Sequence, residues 1–241
     1  MPTEISEAPP HAGAPEQVDW KHLAAIIDHT LLKPEAASGE VQRLCQEAVE
    51  YGFACVILNP TNVALAASVL AGTPRKVGSV VGFPFGANTT SAKRHEAFDA
   101  LRLGAREVDM VMNIGALKSG ERGRVEADMR GLVEVAHDNG AILKITIEAA
   151  LLSLEEKILA CQLALAAGAD YVKSSTGFSR GGAVAADISL MRGVVGEKLG
   201  VKASGGIRTL EHAQTMMDAG ANRIGTSSGI AIIQAARAKT S

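Results

Sequence analysis

Aromatic residues are scarce in this 241-residue chain, at 3%, although 47% of its residues are hydrophobic. The apolar mass is therefore Ala, Val, Leu and Ile, the mixture that lets helices pack closely on a buried parallel sheet. Cysteine is also rare: Cys45, Cys55 and Cys161 are isolated, with no Cys-x-x-Cys spacing. An odd, scattered set reads as reduced thiols of an intracellular protein and not as a disulfide framework. No apolar run reaches the length of a membrane span, and the first residues lack the basic-then-apolar order of a signal peptide. The cytoplasm is thus the expected location, with no membrane partner. Clusters of Lys and Arg interleaved with aromatics are missing too, and the formal net charge is −2, which disfavours nucleic acid.

Metal and cofactor signatures are equally thin. His11, His22, His29, His95, His137 and His212 are scattered, without His-x-His or His-Glu-x-x-His spacing. Chemistry that polarises a carbonyl with a clustered metal is not expected. No Gly-x-Gly-x-x-Gly follows a strand-like run and no Walker loop is present, so no nucleotide cofactor is expected either.

What the chain does have is a recurring unit. Residues 1–17 are rich in Pro, Ala and Glu without apolar period and read as a disordered or loosely attached arm; 18–241 read as one domain. Asp19 is placed to cap a short helix through Ile26. Thereafter helix-like stretches end in Gly52, Gly104, Gly140, Gly168, Gly200 and Gly220, each followed by a short β-branched run. Glycine supplies the left-handed residue just past a helix, and the run after it suits a strand. Eight strands are predicted, near Ile26–Thr30, Ala54–Leu58, Lys76–Phe83, Glu107–Asn113, Leu143–Glu148, Tyr171–Ser175, Val201–Ser204 and Arg223–Thr226. Helical periodicity over 92–103 and 154–167 fills two of the gaps. This alternation favours an α/β fold closed as a (β/α)₈ TIM barrel. An open doubly wound sheet is the rival, because strand order is not written in sequence.

Charges interrupt strands that should be apolar. Lys144, Thr146 and Glu148 share one face of their strand, Lys173 lies between Tyr171 and Ser175, Asp109 within 107–111, and Lys202 within 201–204. Each alone reads as well as a structural ion pair. Five together on four successive strands, at the end where barrels carry their active sites, read as a reaction centre. A lysine is nucleophilic only as the neutral amine, which burial or a neighbouring cation produces. Were Lys173 and Lys202 on adjacent strands, each would disfavour the other's protonation, with Asp109 placed to move protons. Separately, Ser204-Gly205-Gly206 and the turn from Gly225 to Gly229 join the last two strands to their helices. Bare glycine amides, hydroxyls and a helix N-terminus there suit phosphate, with Gly177 as a third element. Either segment alone is more often a tight turn.

The motifs Ile27-Asp28-His29-Thr30-Leu31-Leu32-Lys33-Pro34, Val81-Gly82-Phe83-Pro84, Glu107-Val108-Asp109-Met110-Val111, Val172-Lys173-Ser174-Ser175-Thr176-Gly177 and Lys202-Ala203-Ser204-Gly205-Gly206 occur in that order. From about Trp20 to Ala235 the chain resembles the short bacterial and archaeal deoxyribose-phosphate aldolases. The resemblance implies a metal-free class I aldolase, reversibly cleaving 2-deoxy-D-ribose 5-phosphate to D-glyceraldehyde 3-phosphate and acetaldehyde. It also implies Lys173 as the Schiff-base lysine, Lys202 and Asp109 for proton transfer, Lys144 as a further active-centre lysine, and Gly177, Gly205, Gly206, Ser227 and Ser228 as the phosphate site. Departures are few: Ser174 stands where many members have threonine, Ile57 where many have cysteine, Arg106 where an aspartate is common, and Ala149 where threonine is frequent. Two rivals stay open, a Schiff-base aldolase for another phosphorylated sugar and a catalytically idle barrel that binds one. A homodimer is the expected assembly, with no interface identified.

Overall fold

A computed structural model describes residues 19–239. The arm read over 1–17 lies outside them. Eight parallel strands, β1 Ile27–Leu31, β2 Cys55–Leu58, β3 Lys76–Val81, β4 Glu107–Val111, β5 Ile142–Thr146, β6 Tyr171–Lys173, β7 Gly200–Ser204 and β8 Arg223–Thr226, pair in chain order. Hydrogen bonding of β1 to β8 closes the ring, so the fold is a (β/α)₈ barrel and the open-sheet rival is excluded. The predicted strands all exist; β8 matches at both ends, and the others are displaced by one or more residues at one end or both.

The helices are α1 Trp20–Ala25, α2 Ser38–Tyr51, α3 Val63–Val69, α4 Thr90–Arg102, α5 Ile114–Lys118, α6 Arg122–Asp138, α7 Leu154–Ala167, α8 Ala185–Val195, α9 Leu210–Asp218 and α10 Gly229–Ala238. Their ends follow local chemistry. The Asp19 carboxylate accepts the Lys21 amide at 2.9 Å and starts α1. Ser153 and Glu156 form a reciprocal capping box on α7, which ends in left-handed Gly168. Helix α1 packs on α10, where the Arg237 guanidinium lies 4.0 Å from the centroid of the Trp20 ring.

Gly200 departs from the pattern. It is the first residue of β7, not a helix terminator, and α8 instead ends at Gly196 with φ 54°. A Cβ at Gly200 would overlap the Tyr171 ring across β6 and β7, so its glycine serves a close approach between strands.

The outward faces of the strands make the core with the helices: Leu143, Ile145 and Ile147 belong to it, as do Val108, Met110, Val172 and Val201. Lys93, on a face of α4 that reads as polar, is completely buried. Its ammonium donates to Asp128 of α6 at 2.6 Å and to the Val111 carbonyl at 2.8 Å. That pair ties two outer helices to the end of β4, next to the charged interior.

Candidate active site

Period-two alternation sends the charged residues of the strands inward, and the barrel interior holds a cluster of seven. Asp28 of β1, Glu107 and Asp109 of β4, Lys144 of β5, Lys173 of β6, Lys202 of β7 and Arg223 of β8 are all buried, Arg223 the most exposed at 9%. Lys173 and Lys202 are register partners on adjacent strands. Their ammonium nitrogens converge on one atom, Asp109 Oδ2, at 2.9 and 2.7 Å. Lys144 donates to the other oxygen of Asp109 at 2.8 Å and also meets Glu107 at 2.6 Å. Lys202 bonds Asp28 as well. Arg223 bonds Asp28 at 2.6 Å and grips both oxygens of Glu107 at 2.8 and 2.7 Å.

Ionisation within the cluster follows from these contacts. Burial alone would raise the Asp109 carboxyl, but Lys144, Lys173 and Lys202 together hold it well below the carboxylate range. Burial would likewise neutralise Lys144, yet Asp109, Asp28 and Glu107 keep it charged far above the ordinary lysine value. Lys173 goes the other way. Burial pushes its amine down, Asp109 opposes, and Lys202 and then Lys144 push down again, to about 8 from 10.5. Of the two causes expected from the sequence, burial and a neighbouring ammonium, desolvation is the larger and Lys202 the smaller.

Above Lys173 a cavity of about 350 Å³ opens at the C-terminal ends of β1, β6, β7 and β8. Lys173, Gly177, Gly205, Gly206 and Ser227 line it; Ser228 does not. Gly205 and Gly206 have φ of 96° and 74°, which only glycine adopts readily. The amides of Gly205, Gly206 and Ser227 find no acceptor among the described residues. The Gly177 amide instead donates to Ser175 Oγ at 2.9 Å, and that of Ser228 to Thr226 Oγ1 at 2.9 Å. Those two amides are therefore engaged within their own turns, although Ser228 caps α10. The exposed Arg208 and the half-buried Lys33, which sequence reasoning did not single out, stand at the same rim.

Glu148 lies off the lysine cluster. Its backbone is left-handed at φ 53°, and one carboxylate oxygen accepts the Thr176 amide at 3.1 Å and its hydroxyl at 2.5 Å. Thr176 lines the cavity, so Glu148 shapes its wall.

Asp28, Glu107 and Arg223 were also missed as site residues. Asp28 stood in a recognised motif, and Glu107 shares the phase of Asp109 two residues on, so both were legible as inward charges. Arg223 opens its strand and gave no such signal. Donor atoms of Asp28, Cys55 and Glu107 lie within 4.8 Å of one another. A metal ion there would meet Lys144 and Arg223 already bonded to the two carboxylates, and burial pushes the Cys55 thiol well up. The donor set therefore fits a salt-bridge cluster better than a metal.

Comparison with known proteins agrees with this architecture. The model of the DeoC/LacD family of aldolases matches residues 23–235. The chain is 55% identical over 213 residues to a deoxyribose-phosphate aldolase of Geobacillus sp., covering 88% of this chain and 95% of the relative. It is 54% identical over 217 residues to that of Thermococcus gammatolerans, covering 89% and 96%. Among solved structures, a tetrameric deoxyribose phosphate aldolase from Aeropyrum pernix superposes with a TM-score of 0.85 at 34% identity, covering 90% of this chain and 92% of that one.

Proposed function

The chain belongs to the DeoC/LacD family of aldolases, and from that premise we propose that it is a class I aldolase cleaving 2-deoxy-D-ribose 5-phosphate to D-glyceraldehyde 3-phosphate and acetaldehyde. The observation that carries this reading is the convergence of Lys173 and Lys202 on Asp109 Oδ2 beneath the cavity. Neutral Lys173 attacks the aldehyde carbon of the open-chain sugar, and loss of water gives an imine. Removal of the proton from the 3-hydroxyl breaks the C2–C3 bond, its electrons passing into the enamine as glyceraldehyde 3-phosphate departs. Protonation of the enamine carbon gives the imine of acetaldehyde, which water hydrolyses. Lys202 serves as the ammonium partner in proton transfer, and Asp109 relays protons while orienting both amines. Asp109, held ionised by three lysines, is a weak base by itself, which suits a relay better than a proton store. Lys144 fixes the far oxygen of Asp109.

The substrate phosphate is assigned to the amides of Gly205, Gly206 and Ser227, with Gly177 shaping the turn beside them and Ser228 capping the helix behind. A bent backbone of free amides at a helix N-terminus favours such an anion. Arg208 and Lys33 add positive charge at the rim. No cofactor or metal is required by this scheme.

The assembly is proposed to be at least a homodimer; the Aeropyrum pernix relative is described as tetrameric. A cytoplasmic location is proposed from three cysteines that are all buried and unpaired. Among the described residues no helix is long and apolar enough to cross a membrane. An assay of deoxyribose 5-phosphate cleavage, coupled to glyceraldehyde 3-phosphate oxidation, tests the reading. Turnover of ribose or hexose phosphates in preference to deoxyribose phosphate would move the assignment to another aldolase, and no turnover of any of them would leave an idle barrel.

A further inference from the structure

The seven charges of the interior cluster are not paired evenly. There are three carboxylates, Asp28, Glu107 and Asp109, and four cations, Lys144, Lys173, Lys202 and Arg223. Lys144 touches all three carboxylates, Lys202 touches Asp28 and Asp109, and Arg223 touches Asp28 and Glu107. Lys173 reaches Asp109 alone, and shares it with two other lysines. Three negative charges thus bind three positive ones in a closed net, and the fourth cation is left over. A surplus charge buried this deeply is the one that neutralises, because losing its proton removes net charge from low dielectric.

We propose that Glu107 and Arg223, which begin β4 and β8 and do not touch Lys173, are positioning residues for the Schiff-base reaction: each cancels the charge of the other, and that cancellation sets how readily Lys173, the surplus cation of the net, gives up its proton. The inference rests on Lys173 as the nucleophile proposed above. Other charged or titratable groups near Lys173 do not alter the count. The Cys55 thiol stays neutral, Glu148 is engaged with Thr176 rather than with any of the cations, and Lys33 and Arg208 stand at the rim, where water screens them. Lys76 approaches Glu107 at 3.6 Å from outside, but its side chain is 54% exposed.

The sign of every substitution follows from charge alone. Glu107→Gln leaves the net with an excess cation and lowers the Lys173 midpoint. Arg223→Met leaves it with an excess carboxylate and raises the midpoint. The paired variant restores the count and the midpoint. Shifts of about one pH unit are expected for charges at this remove in a poorly screened interior. The readout is a ¹³C NMR titration of the lysine Cε signals in the full-length protein, with Lys173 assigned by its loss in Lys173→Met. A purely structural role for the pair would lower thermal stability without moving the midpoint in opposite directions. Singles that shift the same way, or not at all, overturn the proposal.

A second measurement needs no variant. Because the balancing charges are internal, the Lys173 midpoint of the unaltered protein should move by less than roughly 0.2 unit between 0.05 and 0.5 M NaCl, where surface charges are strongly screened. A larger movement would assign the effect to surface charge and overturn the proposal even if neither single variant folds. These titrations do not depend on activity. Failure to trap a substrate on Lys173 would therefore refute the proposed reaction separately.

Discussion

Lys173 and Lys202 stand opposite each other on β6 and β7 and direct their nitrogens at the same oxygen of Asp109. Two cations on one buried oxygen disfavour each other's charge, so the one with fewer carboxylate partners loses its proton more readily than a free lysine. Lys173, with its single carboxylate contact and its place in the cavity floor, is that one.

The pH dependence of kcat/KM should follow Lys173. With a midpoint of about 8, about one molecule in ten carries the neutral amine at pH 7, roughly 300-fold more than for an unshifted lysine. The rate should therefore rise with pH and level off above the midpoint, until another group titrates. A flat profile between pH 6 and 9 would contradict it.

Stability should respond in the same window. The folded midpoint of Lys173 lies below its unfolded value, so the unfolded chain binds more protons between about pH 8 and 10.5 and stability rises with pH there. Below pH 8 the full penalty, about 3 kcal/mol, is present. Lys173→Met should thus be inactive yet more stable at pH 7 by denaturant titration. A marked loss of stability would show that Lys173 holds the cluster together.

Lys202→Met should keep the fold and reduce turnover by roughly 10²–10⁴-fold, the range for losing a proton-transfer group. Borohydride trapping of acetaldehyde should still report a lysine adduct, more slowly. Unchanged turnover would remove Lys202 from the reaction.

The phosphate assignment is tested by putting negative charge among the free amides. Ser227→Glu should raise KM for deoxyribose 5-phosphate at least about 10-fold, while unphosphorylated deoxyribose changes little. Equal effects on both sugars would place the phosphate elsewhere.

Outside the site, Lys93→Met should cost about 3–5 kcal/mol, because it leaves the Asp128 carboxylate buried without its cation. The double variant Lys93→Met/Asp128→Leu should recover most of that in urea unfolding. Equal losses in single and double variants would mean that lost packing, not an orphaned charge, is responsible.

Much of this was legible in the primary structure because barrel strands are short and regularly punctuated. Left-handed glycines at 52, 104, 140, 168 and 220 end or follow their helices as the sequence implies. Gly200 misled because a glycine required by the Tyr171 ring looks the same in sequence as one required by a turn. The inward phase of Asp109, Lys144, Lys173 and Lys202 was readable from period two, and with it their meeting in one buried cluster. Arg223 was not, since one charge at the start of a strand resembles any surface residue. Nor was the partition between burial and charge at Lys173, because desolvation depends on how completely neighbouring elements close over a side chain. The engaged amides of Gly177 and Ser228 were hidden for a related reason: their acceptors, Ser175 and Thr226, are local hydroxyls whose rotamers a motif does not specify.

The most direct test is to treat the protein with acetaldehyde and borohydride and map the modified peptide by mass spectrometry. Reductive ethylation of Lys173, with Lys144 and Lys202 unmodified and the label abolished in Lys173→Ala, is the expected result. An ethyl group on either of the other two lysines, or full cleavage activity in Lys173→Ala, would contradict the account.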